Sequence, residues 1–173
     1  PPGPSVIAHE PCGESGEPSL ARDHDGDGKN DTLHVALEGR EVCRAIDTNK
    51  DGKPDTWVYF DPNGGVRRQE RDHNHDGTVD EVTHFKAGLI EKSERDSNHD
   101  GRVDEWIFHD ENGKPLRALH DRDGNGKVDQ WWSWLPNKKG CATIHTDRNE
   151  DGKSDHAHET CPPGATSSPA PVR

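Results

Sequence analysis

DTNKDGKPDTWVYFDPNGGVRRQER, residues 47–71, contains in one pass the unit that most of this chain repeats. Its first nine residues set oxygen-bearing side chains at alternate positions, Asp47, Asn49 and Asp51, followed by Gly52 and a further carboxylate, Asp55. TWVYF is rich in β-branched and aromatic residues, DPNGG supplies turn residues, and VRRQER completes a second extended run. Strand-forming runs bounded by Asn-Gly or Gly-Gly are the signature of a β-hairpin. The stretch is therefore a polar loop followed by a hairpin.

Outward from this unit, the nine-residue pattern D-x-[DN]-x-[DN]-G-x-x-D occurs six times. The copies are DHDGDGKND from Asp23, DTNKDGKPD from Asp47, DHNHDGTVD from Asp72, DSNHDGRVD from Asp96, DRDGNGKVD from Asp121 and DRNEDGKSD from Asp147. Successive starts lie 24, 25, 24, 25 and 26 residues apart. One match in a chain rich in Asp and Gly could be chance, but six in register define a repeat protein.

The pattern fits calcium, a hard cation that takes about six to eight oxygen ligands. Positions 1, 3, 5 and 9 supply the candidate ligands. They are Asp23, Asp25, Asp27 and Asp31 in the first loop, and Asp47, Asn49, Asp51 and Asp55 in the second. The third has Asp72, Asn74, Asp76 and Asp80, and the fourth Asp96, Asn98, Asp100 and Asp104. The fifth has Asp121, Asp123, Asn125 and Asp129, and the sixth Asp147, Asn149, Asp151 and Asp155. Glycine at position 6 permits the sharp turn that a Cβ would hinder. Six Ca2+ ions would balance the formal charge of −12, and 19 of the 34 acids fall at ligand positions. The expected cofactor is Ca2+, about six ions.

The nine-residue pattern resembles the start of an EF-hand loop. The EF-hand's bidentate Glu at position 12 is replaced here by His34, Val58, Thr83, Ile107, Trp132 and His158. Ending the ligands at position 9 is closer to the calcium loops of integrin-type FG-GAP repeats and similar to thrombospondin type 3 repeats. The short period resembles hairpin-and-calcium-loop arrays of secreted bacterial proteins. These resemblances imply extracellular calcium binding.

The other intervals repeat the hairpin: TLHVAL-EGR-EVCRAI, EVTHF-KAG-LIEKSER, EWIFH-DENGK-PLRALH and QWWSWL-PNKKG-CATIH. A propeller blade needs four strands and about 40 residues or more, so two strands per repeat exclude it. The expectation is all-β: an elongated repeat array, a β-hairpin meander or solenoid of six units, with calcium loops along one edge. Strand spacing puts neighbouring loops roughly 10 Å apart. Three segments follow: 1–22, an N-terminal tail and disulfide cap; 23–155, the repeats; 156–173, a C-terminal cap and Pro/Ser-rich tail.

Leu, Ile, Val and Phe number only 25 of 173 residues, a composition that ordinarily leaves a chain disordered. Metals or disulfides must then supply much of the stability. Cys12, Cys43, Cys141 and Cys161 form an even set without a C-x-x-C pair, which disfavours zinc and favours disulfides in an oxidising compartment. Locality favours Cys12–Cys43 and Cys141–Cys161, one staple for each end repeat. No run is long enough to span a membrane, no signal peptide is visible, and Pro-Pro-Gly-Pro-Ser reads as a mature N-terminus. The acidic balance excludes nucleic acid as a partner. The expected location is extracellular, secreted or at the cell surface.

Twelve histidines include the pair His156 and His158, spaced for one strand face, but no third metal ligand accompanies them. His24, His73, His75 and His99 occupy loop spacer positions and are expected to face solvent. Trp57, Trp106 and Trp131 share one repeat position, which suggests an aromatic ladder or, failing that, a carbohydrate platform. Alternation puts Trp57, Tyr59, Trp106, Phe108 and Trp131 on one face and Val58, Phe60, Ile107, Trp132 and Trp134 on the other. A single sheet cannot bury both faces, so the array must coil on itself or be covered by another chain. No catalytic motif is present, and the chain is not expected to be an enzyme. The expected role is a calcium-binding structural subunit of a surface layer, matrix or filament, or else a carbohydrate-binding module using exposed Trp. Head-to-tail self-association is the expected contact, with the segment around Val6 and Ile7 reaching the next subunit; other surface proteins or glycans are the alternative partners.

Overall fold

The computed structural model describes residues 6–13 and 17–163. These residues form twelve strands and, among themselves, no helix: β1 (Glu17–Arg22), β2 (Thr32–Leu37), β3 (Arg40–Ile46), β4 (Thr56–Phe60), β5 (Val66–Arg71), β6 (Glu81–Lys86), β7 (Leu89–Arg95), β8 (Glu105–His109), β9 (Pro115–His120), β10 (Gln130–Trp134), β11 (Ala142–Thr146) and β12 (His156–Thr160). All twelve lie in one antiparallel sheet in sequence order. The sheet is an open meander, because β1 and β12 do not pair.

Every strand reverses the chain, so the connections alternate between two edges. All six acidic nonapeptides fall on one edge and the short turns on the other. Two of the short turns, Glu38-Gly39 and Ala87-Gly88, hold both residues at positive φ, 52° and 76° in one and 51° and 79° in the other. That is the two-residue hairpin turn whose twist matches its strands. DPNGG and DENGK instead close on an aspartate: Asp61 accepts from the Asn63 and Gly65 N–H groups, and Asp110 from those of Asn112 and Lys114.

The two faces are covered differently. One transverse row reads Leu33, Ala45, Trp57, Glu70, Val82, Glu94, Trp106, Leu119, Trp131. Residues 7–12 cross this face. Ile7 packs on the cluster of Val103, Trp106, Leu119 and Val128, while Cys12 joins that of Val35, Cys43 and Tyr59. Glu70, fully buried, is the polar anchor of this arm. It accepts from Arg68 Nε at 2.6 Å, the Glu10 N–H at 3.1 Å and the Tyr59 hydroxyl at 3.2 Å, and pairs with His9 Nδ1 at 2.6 Å. Tyr59 also donates to the Glu10 carbonyl, and Arg68 to that of Ala8. Burial, and then the Glu70 charge, push the Tyr59 hydroxyl well above its usual range.

This arm corrects the sequence expectation for Ile7. It lies on its own sheet rather than reaching outward, because Trp106 and Glu70 need cover that the sheet alone lacks; Val6 remains exposed. On the opposite face Ala118 and Ala142, each 1% exposed, sit directly across from Trp132 and Trp134, while Val58, Phe60, Ile107, Trp132 and Trp134 themselves are half-buried.

Disulfides join Cys12 to Cys43 and Cys141 to Cys161. Closing loops of 31 and 20 residues restricts the unfolded chain by about 3–4 kcal/mol each on the chain-entropy account. Residues 1–5, 14–16 and 164–173, which hold much of the expected tails, lie outside the described residues.

Candidate metal site

The six nonapeptides share one hydrogen-bond scheme. The position-1 carboxylate accepts from the N–H of the position-6 glycine: Asp23 from Gly28, Asp47 from Gly52, Asp72 from Gly77, Asp96 from Gly101, Asp121 from Gly126 and Asp147 from Gly152, all at 2.6–2.8 Å. The position-9 carboxylate reaches back to the position-2 N–H, as Asp31 does to His24, Asp80 to His73 and Asp129 to Arg122. Position 3 accepts from the position-5 N–H, and position 5 from that of position 7. All four candidate ligand side chains therefore curl inward on the backbone they belong to. Position 4 is left-handed throughout, in Gly26 and Gly124 but also in Lys50, His75, His99 and Glu150 at φ 60–64°. A side chain in that conformation costs roughly 1–2 kcal/mol, so the loop is held against its own backbone preference.

Neighbouring loops abut. The position-9 carbonyl of each loop accepts from the position-1 N–H of the next in all five junctions, from Asp47 to Asp31 through Asp147 to Asp129, at 2.8–2.9 Å. This contact buries the carboxylates: position 1 in loops two to six and position 9 in loops one to four are at most 7% exposed.

Every loop is acidic at its ligand positions, and neighbouring Lys and His side chains meet only some of these acids. At the ligand positions, loops two to six carry three carboxylates and one amide. In loops two to four the position-3 amide donates to the position-5 carboxylate; in loop five the roles swap, Asn125 donating to Asp123. Loop one has four carboxylates, and Lys50 from loop two pairs with its Asp25 at 3.0 Å. That hydrogen bond holds the Asp25 carboxyl below its ordinary range, whereas burial pushes Asp121 up.

What fits such a loop is a hard cation. The donors are all oxygens, and carboxylate oxygens of Asp23, Asp25 and Asp31, and likewise of Asp121, Asp123 and Asp129, lie within 4.8 Å of one another. Two buried carboxylate oxygens at position 1, Asp72 Oδ1 and Asp147 Oδ1, have no hydrogen-bond partner. A buried anionic oxygen without a partner is costly, and a divalent ion would satisfy it.

The remaining sequence candidates separate. The loop histidines His24, His73, His75 and His99 are exposed, as expected, and three of them also meet acids, His73 with Glu81 at 3.0 Å, His75 with Asp55 at 3.5 Å and His99 with Asp80 at 2.9 Å, tying loops to strands and to one another. His156 and His158 lie with ring centroids 5.5 Å apart and belong to no described three-residue ligand group. Trp57, Trp106 and Trp131 share a row but form no continuous ladder, since Glu70, Val82, Glu94 and Leu119 separate them. None of the five tryptophans is exposed; Trp106 is 3% accessible and Trp57 carries the His9 ring edge-on at 4.7 Å.

The sequence reading missed position 8. Val79, Val103 and Val128 are buried beneath loops three, four and five, while Asn30, Pro54 and Ser154 occupy that position elsewhere and are exposed. Valine inside an otherwise polar loop was the available signal.

No family model matches the sequence, and no curated protein matches it. Among solved structures the chain is similar to accessory secretory protein 1, 2 and 3 of Streptococcus pneumoniae, at 11% identity and TM-score 0.39, over 85% of this chain and 22% of that one. It is similar to TarM at 19% identity and TM-score 0.42, over 60% of this chain and 19% of that one. The GtfA/B complex bound to UDP and GlcNAc gives 16% identity and TM-score 0.37, over 84% and 27%. The chain thus spans between about a fifth and a quarter of these proteins' lengths. Likeness at this level carries no inference about activity.

Proposed function

We propose that this chain is an extracellular calcium-binding structural repeat protein, a module of a surface layer, matrix or filament in which ions replace much of the missing apolar core. The observation that supports it most is the unpartnered pair of buried carboxylate oxygens, Asp72 Oδ1 and Asp147 Oδ1, within loops that repeat one oxygen-lined scheme six times. Each ion would be held by the position 1, 3, 5 and 9 side chains and would neutralise carboxylates that otherwise repel. The two disulfides fit an oxidising compartment, and no described helix is long and apolar enough to cross a membrane.

The test is circular dichroism with calorimetric calcium titration. Calcium should bind with a measurable heat and a gain of β signal, and chelation should reverse the gain, because metal-binding free energy acts as folding free energy. A β signal indifferent to complete chelation, with no heat of binding, would defeat the reading.

A further inference from the structure

The two ends of the sheet are complementary halves of the junction that the interior repeats five times. At each interior junction the first residue after one loop pairs with the last residue before the next: Thr32 with Ile46, Thr56 with Arg71, Glu81 with Arg95, Glu105 with His120 and Gln130 with Thr146. Beyond that pair, the position-9 carbonyl of the first loop takes the position-1 N–H of the second. At the ends, only half of this arrangement is present among the described residues. Asp23 offers its N–H with no preceding loop, and Asp155 its carbonyl with no following one. The burial agrees. Asp23 and Asp155 are exposed where most of their equivalents are buried, and β12 is exposed from His156 to Glu159.

We infer that the chain binds a second copy of itself head to tail, β12 of one copy pairing antiparallel with β1 of the next, His156 opposite Arg22. The inference rests on the calcium reading, because the loops must be set before they can abut. Direction is consistent: β12 runs away from the loop edge and β1 runs toward it, so the joined sheets keep every loop on one side. Successive residues of an antiparallel strand direct their N–H and C=O to alternate neighbours. Asp155 donates its N–H to Thr146, and its carbonyl, like its five equivalents, faces the open side. Ala157 is then the next residue to present both groups outward, and on β1 the corresponding residue is Ala21. Ala157 and Ala21 form the doubly hydrogen-bonded pair that Leu33 and Ala45 occupy inside the array. Pro18 has no N–H to offer, so the pairing is confined to the loop-proximal half of β1 and gains its register from the loops. Such a contact is heterologous and, unless its rotation closes, builds a filament.

Sedimentation velocity tests this with the intact disulfide-bonded protein in calcium, each sample also being assayed for calcium content and β signal. Ala157→Pro and Ala21→Pro each remove one outward donor and leave the other edge intact. Wild type should grow with concentration. Each variant should stay monomeric with full calcium content, and an equimolar mixture should give a dimer and nothing larger. Wild type that stays monomeric while folded and calcium-loaded would overturn the inference and leave the calcium reading standing. Variants that polymerise like wild type, or a mixture that stays monomeric, would also overturn it. If either proline variant fails to fold, amide exchange on wild type decides: the Asp23 and Ala157 amides should slow as concentration rises, and unchanged rates overturn the inference. A protein that binds no calcium would overturn both readings.

Discussion

The two edges of this sheet solve the same problem, reversing the chain, in opposite ways. At the turn edge, Asp110 accepts two backbone N–H groups at 2.9 Å within a five-residue turn that remains in water. At the loop edge, Asp96 also accepts two, from Gly101 at 2.7 Å and Asp100 at 3.2 Å, but it is 3% exposed and shares its loop with two further carboxylates. A turn that only reverses direction needs at most one aspartate. Six long loops that bury acid against acid need something positive, and the nearby Lys and His side chains reach only some of them. The turn edge in turn carries the exposed apolar residues Leu37, Leu89 and Leu116, as an edge free of charge crowding can.

The difference is broken most completely by chelation. Each occupied site adds about 2.7 kcal/mol at a hundredfold excess of calcium over its Kd, so removing all ions should collapse the loop edge and the strands between. The checking measurement is amide exchange by segment. Protection should fall first at residues 72–80 and 96–104, and last near the two disulfides.

Single substitutions sharpen the comparison. In saturating calcium, Asp96→Ala should cost on the order of 3 kcal/mol, because it strips an ion ligand and leaves buried N–H groups unpaired. Asp110→Ala should cost about 1 kcal/mol, since water takes over its exposed partners. Urea midpoints would check both; equal effects would erase the distinction between the edges. Next, Val103→Ala beneath loop four should cost about 2 kcal/mol, whereas Leu116→Ala at the turn edge, 52% exposed, should stay within about 0.5 kcal/mol.

The smallest expected contrast separates loop carboxylates from one on the sheet face. Glu94, hydrogen-bonded to His84 and then Lys92, has its carboxyl held down to about 2 from an ordinary 4.5. A depressed folded value stabilises above the unfolded value and is lost as pH falls through the folded one. The stability difference between wild type and Glu94→Gln should therefore be full above about pH 4.5 and vanish toward pH 2. It is worth on the order of 1 kcal/mol after solvent screening. Because no loop ligand is touched, the difference should not depend on calcium concentration.

The alternation of long acidic connections and short turns was legible because both carry local rules: Asp, Asn and Gly at fixed offsets, and Asn-Gly or Gly between β-prone runs. Ten of the twelve strands and their pairing within each hairpin follow from those rules; β1 (Glu17–Arg22) and β12 (His156–Thr160), which the sequence puts in the end caps, and the choice of a meander over a solenoid do not. What the sequence hid is long-range. Nothing local says that Ile7 will cap Trp106 or that Glu70, one acid among 34, will be the fully buried anchor of the arm. Trp57, Trp106 and Trp131 do share a row, but the intervening strands β5, β6, β7 and β9 place Glu, Val and Leu between them, which periodicity within one repeat cannot reveal. The buried valines at position 8 were visible as residues, yet their role depends on packing beneath the loops.

The central claim is that the six loops are calcium sites that hold this fold together. Native mass spectrometry of the disulfide-bonded protein in volatile buffer with micromolar calcium counts the ions directly. The account predicts a dominant species with about six calcium ions in a compact charge-state distribution, giving way on chelation to an ion-free species with the broad distribution of an unfolded chain. A compact protein that carries no calcium, and stays compact after chelation, would contradict it.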